Sequence, residues 1–528
     1  MFHSRNLTST FFFFFFFFFF FFLTLFPTFL SLGLPIVSPE HACNFTANPS
    51  FCRSVIPAGI RFNLYGYGQY LLKRSLSQSA KFSYLIDRII KNNVTLPPQA
   101  EDALRDCLLL SELTTDYLLS SLTTLSSNST TDLPDDQGDR VHTLLSAVIT
   151  NQQTCYEGLT EASFWQRGHQ LHAPLANGTD LYKLSLSMFT RSWAPKKTQA
   201  GRKLLDDLRV GSDGVPHWIN RDIFRVRPGA RRMALQTVRT VVVAQDGTGD
   251  YRTIGDAVSA VPDNNDGKRG YFVIRVKRGV YKENVSIGKK KKYIMMVGDG
   301  LRWTIITGSR SVADGSTTFN SATLGTARTS RPFSAAASKD TKTPSTLTLS
   351  GSFTKECYIY GTIDFIFGNA AVVLQNCNIF ARVPLSKTNT VTAQGRTDPN
   401  QNTGISIHKC NILASPELAR RMANVRTYLG RPWRAYSRTV IMLSYLDSLI
   451  DPTGWLPWSG DFALKTLYYG EYNNRGVGAR TSGRVKWPGF HVMSTNDAVK
   501  FTVSNLVQGN SWLPKTTVPF TAGLTSTS

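Results

Sequence analysis

Lys355-Glu356-Cys357-Tyr358-Ile359-Tyr360-Gly361, Gln375-Asn376-Cys377-Asn378-Ile379-Phe380-Ala381 and His408-Lys409-Cys410-Asn411-Ile412-Leu413-Ala414 are copies of one pattern, x-x-Cys-x-Ile-x-small. They recur at spacings of 20 and 33 residues. A step of about 20 residues carrying short strands is what one coil of a parallel β-solenoid needs, with longer steps where loops bulge out. Other β-rich runs lie around the repeat, at Val241–Val243, Tyr271–Val276, Tyr293–Val297, Tyr358–Ile366, Ala371–Phe380, Ile405–Leu413 and Thr439–Leu443. Few helical patterns separate them. The spacing therefore predicts a parallel β-helix from about Thr240 onward. Such a fold presents a long face of stacked strands, suited to an extended polymer.

Upstream the texture is helical. Val141, Leu144, Leu145, Val148 and Cys155 keep an i, i+3, i+4 spacing, as do Leu104, Cys107 and Leu108. Gln69–Asn92 is a further helical run, and Pro97-Pro98 followed by Glu101 and Asp102 makes a helix start. Residues 38–195 thus read as an up-and-down bundle. No acidic, His or Cys cluster there resembles a catalytic or metal site, and His142, His169 and His172 read as isolated. Residues 196–237 are Pro-, Gly- and Arg-rich without periodicity. Their dibasic pairs, Arg202-Lys203 and Arg231-Arg232, fit either a solvated linker or a site for a processing protease.

Of the 33 Phe, twelve form the run Phe11–Phe22, inside an apolar block that reaches Leu34 behind His3 and Arg5. Residues 1–37 read as a secretory signal or signal-anchor. N-x-Ser/Thr triplets at Asn44, Asn93, Asn128, Asn177 and Asn284 suit a secreted surface. The net charge of +23 favours a polyanionic partner. In a secreted setting an acidic polysaccharide comes ahead of nucleic acid.

Gly361-Thr362-Ile363-Asp364-Phe365-Ile366-Phe367-Gly368 carries a lone carboxylate in an apolar strand. Alternation would put Asp364 on one face with Thr362 and Ile366, opposite Ile363 and Phe365. A buried carboxylate needs a cationic partner or a function. Arg431, in Tyr428-Leu429-Gly430-Arg431-Pro432-Trp433, is a plausible partner. The pair reads either as a structural ion pair or, with the Trp433 ring to stack on a sugar face, as a carbohydrate site.

These segments, with Val391–Arg396, Asp246–Tyr251, Gly279-Val280-Tyr281-x-Glu283, Asp314–Phe319, Gly454-Trp455-x-x-Trp458 and Tyr468-Tyr469-x-Glu471-Tyr472, resemble plant pectin methylesterase (pectinesterase) over about 240–515. The upstream region resembles the pectin methylesterase inhibitor domain, through Cys43/Cys52, Asp106-Cys107-Leu108 and Thr154-Cys155-x-x-Gly158. The resemblance implies an α-helical, inhibitor-like four-helix bundle followed by an all-β right-handed parallel β-helix at 238–518. It implies a secreted cell-wall enzyme that removes methyl esters from homogalacturonan without metal or cofactor. Asp364 would be the nucleophile, Arg431 would orient it, and Thr317, Arg431 and Trp433 would contact substrate. The dibasic pairs would be processing sites. The bundle would bind the chain's own or another pectinesterase domain. The Cys spacing predicts Cys43–Cys52, Cys107–Cys155 and Cys377–Cys410, with Cys357–Cys377 as the alternative for the last pair.

The resemblance fails over 324–354. The family's second Asp, its general acid, lies in a Gln-Asp-Thr-Leu-Tyr motif, and that Gln and an earlier one stabilise the oxyanion. None is present; the stretch holds only Asp340. Lys342–Thr348 can be encoded AAG-ACA-CCC-TCT-ACC-CTC-ACT. One base upstream, the same bases read Gln-Asp-Thr-Leu-Tyr-Pro-His. A shifted frame with a deletion near Leu324 accounts for this. Three functions then compete: an active esterase whose sequence is corrupted here, a catalytically impaired product that acts only through its bundle, and a pectate lyase, which would need calcium-binding carboxylates.

Overall fold

The first two helices of the chain are short and closed by side-chain caps. Ser38 caps α1 (Pro39–Cys43) by accepting from the His41 N–H, and Asn48 caps α2 (Pro49–Val55) by accepting from the Phe51 N–H. Each helix has Pro at its first position, where the missing N–H is not needed. The computed structural model describes residues 35–92, 96–127, 133–166, 170–193, 237–265, 270–288, 290–291, 293–300, 303–308, 310, 323–326, 337–338, 345–346, 350–516 and 518–524. The apolar N-terminal block, Thr317, and the dibasic pairs Arg202-Lys203 and Arg231-Arg232 lie outside them. Among the described residues no helix is long and apolar enough to cross a membrane.

Long helices α3 (Leu64–Asn92), α4 (Pro98–Ser127), α5 (Asp135–Glu161) and α6 (His172–Trp193) form the bundle. The periodic residues of the sequence are its core: Leu104, Cys107, Val141, Leu144, Leu145, Val148 and Cys155 are all buried in one cluster. Cys43–Cys52 ties α1 to α2, and Cys107–Cys155 ties α4 to α5. A buried hydroxyl pair, Ser75 with Ser185 at 2.9 Å, lets α3 and α6 approach closely. Asn44 and Asn177 are exposed, as glycan acceptors need to be.

After β1 (Thr237–Val243) the chain coils. The first turn of the helix is β2 (Tyr271–Val276), β3 (Gly279–Lys282) and β4 (Val285–Ile287); the next is β5 (Ile294–Gly298), β6 (Thr304–Thr307) and β7 (Leu324–Thr326). Short strands β8 (Ala337–Ser338) and β9 (Ser345–Thr346) lead into β10 (Ser350–Lys355), β11 (Tyr358–Gly361) and β12 (Ile363–Gly368). Then come β13 (Ala371–Gln375), β14 (Asn378–Ala381), β15 (Thr388–Gln394), β16 (Gly404–His408), β17 (Asn411–Ala414) and β18 (Arg426–Gly430). The end is β19 (Arg438–Met442), β20 (Tyr445–Leu446), β21 (Tyr468–Tyr472) and β22 (Phe490–Val492). Their strand pairings are parallel. Three faces result: β10-β13-β16-β19-β21-β22, β3-β6-β8-β11-β14-β17-β20 and β9-β12-β15-β18.

The Cys-x-Ile repeat is one corner of this helix. Ile359, Ile379 and Ile412 stack inward at 5 %, 0 % and 0 % exposure, so they form one continuous column of the core. The residue before each Cys turns the corner in the left-handed region: Glu356, Asn376 and Lys409 have φ of 54°, 55° and 55°. That conformation disfavours an L-residue by roughly 1–2 kcal/mol. It also explains why the runs Ala371–Phe380 and Ile405–Leu413 are each two strands and not one. Tyr358, Asn378 and Asn411 share a rung, so Cys357, Cys377 and Cys410 share the adjacent one.

This rung corrects the third expected disulfide. Cys377 and Cys410 are buried thiols, as is Cys357. Neighbouring residues on parallel strands project side by side and not toward one another. Cys377 instead turns its backbone N–H toward the Cys410 sulfur, at 3.3 Å. With an equivalent neighbour on each side, Cys377 has no partner singled out by spacing.

Among the described residues β1-β2-β5 and β4-β7 form sheets of their own, and the face through β8 runs from β3 to β20. Near the far end, Glu471 and Arg484 form an ion pair with side chains 2 % and 1 % exposed, Nε to Oε1 at 2.7 Å. Trp455 Nε1–H also donates to Glu471, and Arg484 donates to the Pro452 and Gly478 carbonyls. Glu471→Gln leaves Arg484 buried without its counter-charge. It should lower stability by about 3–5 kcal/mol, read as a reduced denaturant midpoint at unchanged slope.

Candidate functional site

Asp364 sits in β12 with φ 53°, where the pairing of β12 with β15 slips between Ile363 and Ile366. The bulge overturns strict alternation. Phe365 and Ile366 are both fully buried in the same core, and Asp364 turns outward. One carboxylate oxygen accepts from the Thr390 hydroxyl at 2.5 Å, and that hydroxyl accepts from the Asp364 N–H at 3.0 Å. Arg431 Nε lies 2.9 and 3.0 Å from the two oxygens, and its Nη2 lies 2.5 Å from Oδ2. The geometry is bidentate, the strong form of this pair. The side chains are 16 % and 26 % exposed, so the pair is open at the surface and not sealed in the core.

Arg431 follows β18 and bonds back through its N–H to the Thr392 carbonyl, 3.0 Å away. Its guanidinium lies over the Trp458 ring at 4.4 Å. Trp458 reaches it because Trp455 bridges to Gly430, extending the stack by one more turn. Trp433 stands edge-on to Phe367 at 5.9 Å. A Cβ at Gly395 would come within 2.9 Å of the Trp433 ring, so glycine is what lets the indole lie on the sheet. The result is a bidentate Asp–Arg pair flanked by two indoles on a partly open face. Such a site can orient a carboxylate toward a sugar ring.

Of the residues singled out in the sequence, Asp364, Arg431 and Trp433 come together, and Thr317 lies outside the described residues. Thr390 and Trp458 were not singled out as site residues. Trp458 lay in a quoted motif, but nothing in its spacing pointed to Arg431. Asp340, the one acid of the divergent stretch, also lies outside the described residues.

The bundle reaches this region. One stripe of α5 meets the loop between β15 and β16. His142 Nε2 lies 2.6 Å from the Asn400 carbonyl, so the histidine read as isolated is a contact between the two halves. Gln401 donates to the Ser146 carbonyl and Thr150 hydroxyl, and Asn402 bonds Ser146 and Thr143. Further along α5, Glu157 pairs with Arg434, whose guanidinium lies 5.1 Å from the Trp433 ring centre. Thr143, Ser146, Thr150 and Glu157 recur at intervals of three, four and seven, one polar face of α5.

A family model described as Pectinesterase matches residues 240–336 and 347–510. One described as Plant invertase/pectin methylesterase inhibitor matches residues 38–188. The unmatched interval, 337–346, is narrower than the stretch 324–354 read from motifs, and it contains the expected acid segment. An Arabidopsis thaliana protein named "Probable pectinesterase/pectinesterase inhibitor 41" is 43 % identical, covering 93 % of this chain and 96 % of that protein. A pectinesterase/pectinesterase inhibitor of Ficus pumila var. awkeotsang is 39 % identical over 94 % of this chain and 95 % of its own. Among solved structures, pectin methylesterase from carrot is 48 % identical with a TM-score of 0.48, covering 54 % of this chain and 98 % of the carrot chain.

Burial raises the Glu157 carboxyl above its ordinary range, against the opposing pull of Arg434 and the Gln153 hydrogen bond. A carboxyl raised on docking binds its proton more tightly docked than free. The docked state is therefore favoured below the free value and weakens as pH climbs through the raised one. Hydrogen exchange at the Asn402 amide, corrected for intrinsic rate, should lose protection as pH rises from about 4.5 upward. Glu157→Gln should flatten that dependence.

Proposed function

Because the chain belongs to the plant pectinesterase family, with an inhibitor-type domain ahead of the esterase domain, we propose that it hydrolyses the methyl esters of homogalacturonan through Asp364. The observation that carries this is the bidentate Asp364–Arg431 pair, open at the surface between Trp433 and Trp458. Asp364 attacks the ester carbonyl, the methoxide leaves as methanol, and water releases the acid from the acyl-enzyme. Arg431 and the Thr390 hydroxyl hold the carboxylate aimed. Trp433, and Thr317 by resemblance, contact the sugar. No cofactor enters the reaction. The setting is the cell wall, reached by way of the N-terminal signal.

The bundle is read as a restraint on its own catalytic domain. The stripe from Thr143 to Glu157 on α5 grips the loop beside the site, ending at Arg434 next to Trp433. Cleavage within 196–237, at Arg202-Lys203 or Arg231-Arg232, would free it.

The motif that would supply the proton for the leaving methoxide and one oxyanion donor is missing from the interval 337–346, and the family's earlier Gln donor is missing upstream of it. A positioned acid typically contributes about 10²–10⁴-fold. Each oxyanion donor adds about 10²–10³-fold. The test expresses residues 238–518 as written beside a version with the frame restored and the lost segment rebuilt, on methyl-esterified galacturonan. The rebuilt protein should release methanol at least about 10²-fold faster, with no unsaturated uronide. Equal rates would place the acid elsewhere, and an unsaturated product would mean a lyase.

A further inference from the structure

The corner after the repeat is built differently in successive coils. Gly361, Ala381 and Ala414 lie side by side in register. From Gly361 the chain passes almost directly into β12 and Asp364. From Ala381 and Ala414 it makes longer turns before β15 and β18. These turns enclose a cavity of about 290 Å³ lined by Arg382, Val383, Glu417, Arg420 and Arg421. The Arg382 N–H bonds the Gly361 carbonyl at 2.8 Å, and the Ser415 N–H bonds the Ala381 carbonyl at 2.8 Å, so each turn sits directly on the one before. Asn389 donates to the Arg382 carbonyl, and its neighbour Thr390 holds Asp364.

Three arginines and one carboxylate thus line one cavity, with Arg382 and Arg420 near enough to act on Glu417. Among the described residues, the side chains of Arg382, Arg420 and Arg421 make no ion pair or hydrogen bond. Glu417 is held ionised chiefly by hydrogen bonds at the start of the helix Pro416–Ala419, to its own backbone and to Ser415, with smaller help from Arg382 and Arg420. Exposed Lys387 and Arg426 stand at the same edge, where the Arg426 N–H bonds the Lys387 carbonyl at 2.9 Å. The bundle grips the opposite ends of these strands, at 400–402 and Arg434, and among the described residues no hydrogen bond or ion pair joins it to this edge.

We propose that Arg382, Arg420 and Arg421 form a second polysaccharide site, for the free carboxylates of demethylated galacturonan. It deepens, and rests on, the reading of the chain as a pectinesterase. A polymer lying across the coils with one sugar at Asp364 continues onto these turns. Its uronate groups there meet unpaired guanidiniums, whose planar fork matches a carboxylate, whereas a methyl ester carries no charge for them to meet. The site binds product-type chain while the bundle is docked, so it anchors the uncleaved protein to stretches already demethylated.

The test measures binding of the full chain to polygalacturonate and to highly methylated pectin, without reference to turnover. Arg382→Gln/Arg420→Gln/Arg421→Gln should weaken polygalacturonate binding about tenfold or more and leave methylated pectin binding within about twofold. Lys73→Gln/Lys81→Gln, which removes charge from the bundle surface, should change neither. Unfolding temperatures of all variants establish that they fold. If the triple variant does not fold, Arg421→Gln alone should still weaken polygalacturonate binding selectively. Wild-type affinity in a folded arginine variant overturns the proposal. So does a loss of polygalacturonate binding on Trp433→Ala larger than that of the arginine variant, which would assign it to the catalytic groove. Dextran sulfate competing as well as polygalacturonate would reduce the site to unspecific charge and also overturn it. Methanol release, measured separately, judges the esterase reading: an esterase without this site fails only here, and a carboxylate-binding protein that releases no methanol fails only there.

Discussion

In-register stacking of parallel coils is the constraint on which the site depends. Asp364 and Arg431 are 67 residues apart, and neither strand that carries them holds the other directly. They meet because β12 pairs with β15 and β15 with β18, so that two ladder steps, each about 4.8 Å, separate the coil of the carboxylate from that of the guanidinium. Thr390, on the strand between them, anchors the carboxylate at the middle step. The same stacking aligns the Ile column, the three thiols and the arginine turns. An error in register at one coil would displace every one of these together.

The coil step was legible because a corner imposes the same demand each time it recurs: a left-handed residue, a small sulfur-bearing side chain, an inward Ile. Asp364 was legible because an unaccompanied carboxylate in an apolar run must answer to something. Arg431 was legible as a cation beside a Trp. The bulge at Asp364 was not, because period-two reasoning assumes an unbroken ladder and Phe365 and Ile366 turn the same way. Thr390 and Trp458 were hidden because their roles depend on which coil lies above which. The third disulfide failed for a related reason: equal spacing places thiols on one rung without turning them toward each other. His142 looked idle because its partner, the Asn400 carbonyl, lies 258 residues away on another domain.

Of the divergent stretch the described residues hold β8 and β9, two-residue strands that pair with β11 and β12. Stacking beyond Ser350 does not need that coil, because β10 through β22 pair among themselves. The surroundings of Asp364 are built from β12, β15 and β18, whereas the segment expected to supply the acid, within 337–346, does not match the family model.

The central claim is that the Asp364–Arg431 pair serves chemistry and not cohesion. Asn keeps the shape of the Asp364 side chain and an oxygen to accept from Thr390, so the stacked coils should outlast the substitution, whereas a nucleophile is indispensable to turnover. The deciding measurement is Asp364→Asn in the frame-restored protein, with unfolding temperature and methanol release determined on the same sample. The account predicts an unfolding temperature within a few degrees of the parent and methanol release reduced to background. A large fall in unfolding temperature with methanol release retained would make the pair a structural bridge and contradict it.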